Sequence, residues 1–90
     1  MQGSGGEFNL QVYPNPASDQ LTVDLSLWAE QQVKIRVYDA RGRLMQEQQV
    51  YAEYAPQAFL LPANLADGLY FLEVQPAEGR RQTTRFAVQR

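Results

Sequence analysis

The 90-residue chain contains no cysteine and no histidine. It therefore lacks disulfides, thiol nucleophiles, zinc sites of the Cys/His kind and the commonest general base of enzymes. The absence of cysteine does not identify a compartment, because it fits a reducing cytosol and equally an exported protein that needs no disulfides. The two missing residue types weigh against most familiar kinds of catalytic site.

Long apolar runs are also missing. No stretch approaches the roughly 20 apolar residues that a transmembrane helix needs. The opening segment, MQGSGGE, has neither the basic start nor the apolar centre of a secretory signal peptide. We expect residues 1–8 to be a flexible leader that an expression vector supplied, and residues 9–90 to form one folded domain.

The chain has no excess of basic residues. Lys and Arg total 8, Asp and Glu total 10, and the net charge is -2. A surface that follows nucleic-acid phosphates would be basic, so we expect no nucleic-acid partner. Hydrophobic residues make up 44% of the chain and charged residues 20%, which is ordinary for a small globular domain.

The sequence does contain a clear period of two. In LTVDLSL, Leu21, Val23, Leu25 and Leu27 alternate with polar residues, which indicates a strand with one buried face. The run LYFLEV (69–74) is apolar on nearly both faces, as in a central strand. Similar runs, with weaker ones between them, predict strands near residues 9–13, 21–27, 33–39, 43–51, 57–61, 69–74 and 83–89.

Turn chemistry separates these runs. In DARG, Asp39 can bond the backbone ahead of it and Gly42 can take a positive φ, so we expect a tight hairpin. The segment SLWAEQQ (26–32) has room only for a helical turn. Short strands with turns at intervals of about 8–12 residues predict an all-β fold, a seven-stranded antiparallel β-sandwich.

The polar side chains form no recognisable catalytic set. Ser18 lies beside Asp19, but there is no His to activate it, and Lys34 is the only lysine for a Ser–Lys pair. Asp24 and Glu73 occupy outward-facing strand positions, with no indication that they flank a cleft. We expect no catalytic residues and no enzyme activity.

Carboxylates in turns raise the question of a metal site. Asp19, Asp39 and Asp67 carry the oxygen ligands that Ca²⁺ prefers. They stand in separate turns without a local ligand spacing, and an Asp in a turn usually bonds its own backbone. We therefore expect no metal and no cofactor.

The aromatic residues leave a second kind of function open. Flat aromatic side chains can stack on sugars at a binding surface. Tyr70 and Phe71 lie in the most buried-looking run and are expected in the core, whereas Trp28, Tyr51 and Tyr54 lie in or near loops and could form an exposed patch. The alternative function is thus an accessory β-sandwich module that binds carbohydrate or a protein partner. A purely structural spacer is a third possibility.

Four segments, in this order, resemble the C-terminal sorting domains of proteins that the type IX (Por) secretion system of the Bacteroidetes exports. They are VYPNPASDQLTVDL (12–25), VKIRVYDARGRLM (33–45), LPANLADGLYFLEV (61–74) and RQTTRFAVQR (81–90). The shared features are a Tyr/Phe-Pro-Asn-Pro opening, an Asp-x-x-Gly hairpin, a Gly-x-Tyr strand and a closing strand with basic residues around an apolar centre. The resemblance covers about residues 10–90.

The resemblance also picks out individual residues. The family-motif positions are Pro14, Asn15, Pro16, Asp39, Gly42, Gly68 and Tyr70. Recognition by the secretion machinery is expected at Arg85, Phe86, Ala87, Val88, Gln89 and Arg90. Arg85 and Arg90 stand where the family often has Lys, and Gln89 where an apolar or basic residue is common. An edge strand here could be read by strand addition, with Phe86 or Val88 in pockets of the partner and both arginines on acidic groups.

What the resemblance implies is an immunoglobulin-like sandwich that acts as a non-catalytic C-terminal secretion signal. Such a domain directs an exported passenger through the periplasm and across the outer membrane to the cell surface or the extracellular space. Removal of the domain and surface attachment of the passenger often follow. The implied partners are the type IX translocon, outer-membrane shuttle proteins, a sortase-like C-terminal signal peptidase and the fused passenger. Exposed edge strands could also support a dimer.

Overall fold

The computed structural model of the protein describes residues 10–90. Its elements are β1 (Val12–Tyr13), β2 (Gln20–Val23), a 3-10 helix (Ser26–Trp28), β3 (Gln32–Asp39), β4 (Leu44–Tyr51), β5 (Gln57–Leu60), β6 (Gly68–Pro76) and β7 (Gln82–Val88). Each predicted strand is present. The predicted leader, residues 1–8, lies outside the described residues. Within the described range, no helix has the length and apolar character that crossing a membrane requires.

The strands form two sheets that face each other. The three-stranded sheet has the order β1-β2-β5 and the four-stranded sheet the order β4-β3-β6-β7, with antiparallel pairing between all neighbours. In immunoglobulin nomenclature these are the A-B-E and C′-C-F-G sheets. The fold is therefore the predicted seven-stranded antiparallel immunoglobulin-like β-sandwich. β6 is a central strand, as its apolar sequence indicated, and β7 is an edge strand.

The core lies between the sheets and follows from the alternation within the strands. β3 buries Val33, Ile35 and Val37 from one side, and β2 buries Leu21 and Val23 from the other. Full burial of each such side chain stabilises the fold by about 1.5–3 kcal/mol before the entropy of ordering is subtracted. Because each sheet has only one apolar face, the two sheets stabilise each other.

The second strand ends earlier than its alternating pattern indicated. β2 stops at Val23, and Asp24 Oδ1 then accepts a hydrogen bond from the Ser26 amide at 3.0 Å. Hydrogen bonding from Ser26 also lowers the pKa of Asp24. The 3-10 turn that follows has a period of three, which leaves Leu27 56% exposed and Trp28 only 5% exposed. The predictions that Leu27 is buried and that Trp28 belongs to an exposed patch were wrong.

The outer face of the four-stranded sheet carries a buried carboxylate. Glu73 of β6 faces outward, as predicted, but is only 6% exposed. Its oxygens accept hydrogen bonds from Arg36 Nη1 at 2.9 Å, from the Tyr38 hydroxyl at 3.3 Å and from Arg81 Nη1 at 3.4 Å. Arg36 Nε also donates to Glu47 at 2.6 Å, which lowers the pKa of Glu47 and raises that of Arg36. These side-chain pairs link β4, β3 and β6 on the solvent side of the sheet and tie the β6–β7 turn to them.

Candidate recognition site

The four sequence motifs meet at one end of the sandwich. Asp39 at the end of β3 pairs with Tyr70 near the start of β6, and Gly68 pairs with Val88 at the end of β7. Ala17, just after the Pro-Asn-Pro segment, forms a parallel bridge with Val88. Since neighbouring strands run antiparallel, the end of one lies beside the start of the next. We call this region the motif end and define it as residues 14–17, 39–42, 62–70 and 87–90.

The Pro-Asn-Pro segment covers the outer edge of β7. Asn15 Oδ1 accepts a hydrogen bond from the Ala87 amide at 3.0 Å. The Ala17 amide donates to the Ala87 carbonyl at 2.8 Å, and the Gln89 amide donates to the Ala17 carbonyl at 2.8 Å. The two prolines, both after cis peptide bonds, have no N–H to donate. The chain thus pairs with β2 before this segment and with β7 within it, through Asn15 and Ala17.

The second motif is a hairpin held by one carboxylate. Asp39 Oδ1 accepts hydrogen bonds from the amides of Arg41 at 2.9 Å and Arg43 at 2.8 Å, and Oδ2 accepts one from Arg43 Nε at 3.1 Å. The bond from the Arg43 amide contributes most to lowering the pKa of Asp39. Gly42 has φ +87°, and its amide donates to the Asp39 carbonyl at 2.9 Å. Asp39 therefore bonds the backbone ahead of it, as the turn sequence predicts.

Tyr70 anchors the third motif in a tyrosine corner. Its ring is buried and stacks on Phe86, with the ring centroids 5.9 Å apart. Its hydroxyl donates to the Ala66 carbonyl at 2.6 Å, the hydrogen bond that marks the corner between strands E and F in immunoglobulin-like sandwiches. Gly68, with φ +153°, lies between the two bonded residues. A concavity of about 380 Å³ lies between this corner and residues 39–41 of the hairpin, so the second and third motifs adjoin.

The closing motif is partly core and partly surface. Phe86 and Val88 are 1% and 2% exposed, whereas Arg85, Gln89 and Arg90 are exposed. In the folded domain the side chains of Phe86 and Val88 therefore cannot enter pockets of a partner, and that part of the expected recognition mode was wrong. The alternation of β7 turns both side chains toward the opposite sheet.

Arg90 is tied to the loop before β6. Its guanidinium donates to the Ala63 carbonyl at 2.8 Å through Nη1 and to the Pro62 carbonyl at 2.9 Å through Nη2. Its amide donates to Asp67 Oδ1 at 3.0 Å. The first, third and closing motifs thus form one hydrogen-bonded assembly around the end of β7.

Only part of the β7 edge is open. Ala87 directs both of its backbone groups away from β6, toward Asn15 and Ala17. Residues two apart in a strand point the same way, so Thr83 and Arg85 direct their backbone groups to the same edge. Within residues 10–90, no hydrogen bond satisfies these outward groups. The edge is therefore available at Thr83 and Arg85 and occupied from Ala87 onward.

The other predicted groups do not come together. Asp39 and Asp67 each accept hydrogen bonds from amides, and among residues 10–90 no cluster of acidic side chains has the arrangement of a metal site. Tyr51 and Tyr54 are 52% and 72% exposed, but they lie at the β4–β5 connection, away from the motif end. Trp28 is buried, so the proposed aromatic patch is reduced to two tyrosines.

Two features of the site were not visible in the sequence pattern. Asn15 caps the amide of Ala87, which lies 72 positions further along the chain. The Arg90 guanidinium donates to the backbone carbonyls of residues 62 and 63, and the side chains at these two positions do not indicate such a contact. An Asn between prolines and an Arg at the end of a strand indicate polar roles, but periodicity does not reveal their partners.

The fold and the motif end define a class: a small immunoglobulin-like sandwich whose distinctive residues surround the end of its last strand. The chain belongs to the family of secretion system C-terminal sorting domains, whose model matches residues 11–89. No curated protein sequence matches the chain significantly.

One solved structure supports this assignment. It is that of PorZ, an essential bacterial surface component of the type IX secretion system of Porphyromonas gingivalis. The similarity has a TM-score of 0.65 and 26% sequence identity, and it covers 90% of this chain but only 11% of the PorZ chain. This chain thus spans about a tenth of the length of PorZ. Family and structural similarity together support a sorting role in type IX secretion.

Proposed function

We propose that residues 10–90 act as a folded, non-catalytic C-terminal signal that takes a fused passenger from the periplasm across the outer membrane. The type IX translocon and an outer-membrane shuttle protein read the domain, and a sortase-like peptidase then removes it. The passenger is left at the cell surface or in the medium. Membership of the sorting-domain family and the likeness to PorZ support this proposal.

The assembly around the end of β7 carries the proposal. Asn15 and Ala17 form hydrogen bonds with the backbone of Ala87 on the outer edge of β7. The Arg90 side chain donates hydrogen bonds to the loop before β6. The exposed side chains of Arg85 and Gln89 are consequently presented on a fixed backbone. A partner can bind a preorganised surface with a smaller entropic cost than a flexible tail. We therefore assign recognition by the machinery to the exposed groups of residues 85–90, with Phe86 and Val88 shaping that surface from inside.

The test is export of a passenger fused to this domain in a type IX host. The passenger carries its own signal for the inner membrane, and its amount is measured in the periplasm, on the cell surface and in the medium. Export should depend on the domain and should stop in the same host without a functional translocon. Retention of the intact fusion in the periplasm of the competent host would contradict the proposal.

A pair of matched variants separates recognition from charge. Arg90→Ala removes the bonds to residues 62 and 63, whereas Arg80→Ala removes an exposed arginine of the β6–β7 turn that makes no such bond. Both variants lose one positive charge. We expect Arg90→Ala to lower export and Arg80→Ala to leave it close to that of the parent fusion. Equal export from the two variants would show that the arrangement of the strand end is not read.

The aromatic alternative is weakened by the structure. Sugar-binding platforms need coplanar exposed rings, and burial of Trp28 removes the largest of the proposed three. Tyr51 and Tyr54 remain exposed, but Tyr51 lies at the opposite end of β4 from the Asp39–Gly42 hairpin and Tyr54 follows it in the β4–β5 connection. A sorting function is therefore the one that the arrangement of residues supports best.

A further inference from the structure

The chain separates its charges between the two sheets. All 8 basic residues fall within residues 34–43 and 80–90, which form β3, its hairpin, the β6–β7 turn and β7. The described residues of the three-stranded sheet and its connections, 10–31 and 52–61, contain no Lys or Arg, but they contain Asp19, Asp24, Glu30 and Glu53. A chain with a net charge of -2 therefore presents one basic sheet.

The basic side chains reach the outer face of the four-stranded sheet beside the open edge. Arg81 bonds Glu73 at 3.4 Å but stays 67% exposed. Arg85 pairs across the strands with Phe71, is exposed, and forms no hydrogen bond or ion pair within the described part of the chain. Thr83 lies between the two arginines, and its backbone groups are open to the edge. Positive charge and unpaired backbone groups thus occur together along residues 81–85.

The edge of β4 at the opposite side of the same sheet provides an internal contrast. β4 (Leu44–Tyr51) is also an edge strand, and it contains Glu47 and no basic residue. Two edges with similar backbone chemistry consequently differ in charge. We expect an acidic segment to be attracted more strongly to the β7 edge than to the β4 edge.

We propose that the β7 edge at residues 81–85 binds an acidic, extended polypeptide segment of the export machinery by strand addition. The segment pairs with the outward backbone groups of Thr83 and Arg85, and its carboxylates contact Arg81 and Arg85. The segment is short, since Asn15 and Ala17 occupy the edge from Ala87 onward. A polypeptide fits this edge better than an anionic lipid headgroup, because its backbone supplies donors and acceptors at the strand repeat. The inference rests on the proposed function and deepens it by naming the chemistry of the partner.

The probe is a capped peptide of about seven residues that alternates Glu and Val, enough for one short strand. It is titrated into the 90-residue chain at low salt while backbone amide signals are followed by NMR. Shifts and slower hydrogen exchange should appear at the amides of Thr83 and Arg85 and be absent from β4. The matched control peptide has Lys in place of Glu and should bind much more weakly. Added salt should weaken the binding of the acidic peptide, because it screens the attraction between the charges.

Three variants of the domain separate charge from backbone pairing. Arg85→Glu should raise the Kd of the peptide about tenfold. Arg41→Glu makes the same charge change on the hairpin and should alter this Kd by less than about twofold. Thr83→Pro removes an outward N–H without removing a bond to β6, since an edge strand tolerates proline where its N–H faces solvent. It should raise the Kd of the peptide about fivefold, because one backbone hydrogen bond between the domain and the peptide is lost. Dispersed NMR spectra establish that each variant is folded.

Several outcomes would overturn the inference. Equal binding of the Glu and Lys peptides, or shifts at β4 in place of β7, would show that charge does not direct strand addition to residues 81–85. Binding to phosphatidylglycerol vesicles without binding to the acidic peptide would assign the surface to anionic headgroups.

The passenger fusion separates this inference from the proposed function. Export of the parent fusion together with reduced export of Arg85→Glu is the expected result. Equal export of both would leave the sorting function intact and overturn the acidic-segment inference. Failure of the parent fusion to be exported would overturn the sorting function itself.

Discussion

Tyr70 shows how one residue can serve two parts of the fold. Its ring packs against Phe86 in the core, and its hydroxyl closes the corner before β6 through the Ala66 carbonyl. The Gly-x-Tyr spacing in the sequence therefore encodes both a core contact and a loop constraint. The sequence predicted burial of Tyr70 and Phe71. The structure confirms Tyr70 and adds its hydrogen bond, whereas Phe71 is only half-buried and lies on the opposite face of β6.

Truncation of Tyr70 separates these two contributions. Tyr70→Ala should lower the free energy of unfolding by about 3 kcal/mol, because it leaves a cavity beside Phe86. Tyr70→Phe should cost only about 1 kcal/mol, because it loses the hydroxyl bond and keeps the ring. Urea denaturation of the two variants measures both. A loss below about 1 kcal/mol for Tyr70→Ala would place the ring outside the core.

Gly42 is constrained by backbone conformation alone. Its φ is +87°, and a Cβ built there meets no atom within 4 Å. Gly42→Val should therefore destabilise the domain by about 1–2 kcal/mol, because a β-branched residue at positive φ crowds its own local backbone. Gly42→Asn is the matched variant and should cost less, because Asn tolerates positive φ. Similar thermal stability of Gly42→Val and the parent chain would contradict the assignment of this turn.

Among the elements, the β3–β4 hairpin responds to pH. Hydrogen bonds from the hairpin, led by that of the Arg43 amide, hold the pKa of Asp39 below its ordinary value of about 3.9. In acid the unfolded chain takes up a proton at this carboxyl before the folded chain does. The stabilisation that the ionised Asp39 gives to the folded domain is therefore complete above the pKa of Asp39 in the unfolded chain. It is lost as pH falls through the pKa of Asp39 in the folded chain.

Replacement of Asp39 tests this contribution. Asp39→Asn keeps an oxygen that can accept from the amides of Arg41 and Arg43 but cannot titrate. The fall in Tm from about pH 6 to about pH 3 should be smaller in this variant than in the parent chain. Thermal unfolding followed by circular dichroism measures the difference. An unchanged acid dependence would mean that other carboxylates account for the acid sensitivity.

The hydrogen bonding at the outer edge of β7 depends on a residue far away in the sequence. Asn15 accepts from the Ala87 amide, and that amide has no partner in β6 because it points away from it. Asn15→Ala should cost about 1 kcal/mol and speed hydrogen exchange at Ala87. Ser18→Ala, an exposed neighbour, is the control and should leave that amide unchanged. Unaltered exchange at Ala87 in Asn15→Ala would show that the side chain does not cap the strand.

At the scale of the whole molecule, the closing strand β7 forms part of the core. Phe86 contributes one of the largest fully buried side chains, and Val88 is buried beside the first motif. Removal of residues 86–90 should unfold the domain, because loss of one buried aromatic alone costs about 3–5 kcal/mol out of the roughly 5–15 kcal/mol that stabilise a small domain. Loss of NMR dispersion in the trimmed chain checks this. A well-dispersed spectrum would contradict it.

This behaviour affects how export experiments are interpreted. If a passenger with a trimmed domain is not exported, the loss has two candidate causes: a missing signal or an unfolded domain. Substitutions of exposed residues, such as Arg85 and Arg90, keep the core intact and therefore report on recognition. For the export experiment, surface substitutions at Arg85 and Arg90 are therefore more informative than a deletion of the closing residues.

Local pattern explains what could be predicted and what could not. Alternation in residues 33–37 places Val33, Ile35 and Val37 in the core, because side chains of a strand alternate between its faces. The same rule failed at Leu27, because the bond between Asp24 and Ser26 starts a turn and changes the period. Burial of Glu73 was also not predictable, since it depends on side chains from β3 and from the β6–β7 turn.

The sequence by itself determined the strands, the turns, the sandwich and, through four motifs, the family. These properties depend on periods of two and on turn residues, which act over a few positions. Only the tertiary structure decided which side chains of the last strand are exposed and which part of its edge is open. The burial of Phe86 and Val88 depends on packing against the opposite sheet, and the open part of the edge is limited by the contacts of Asn15 and Ala17 with Ala87. Such partners are far apart along the chain and meet only once the two sheets have closed around the core.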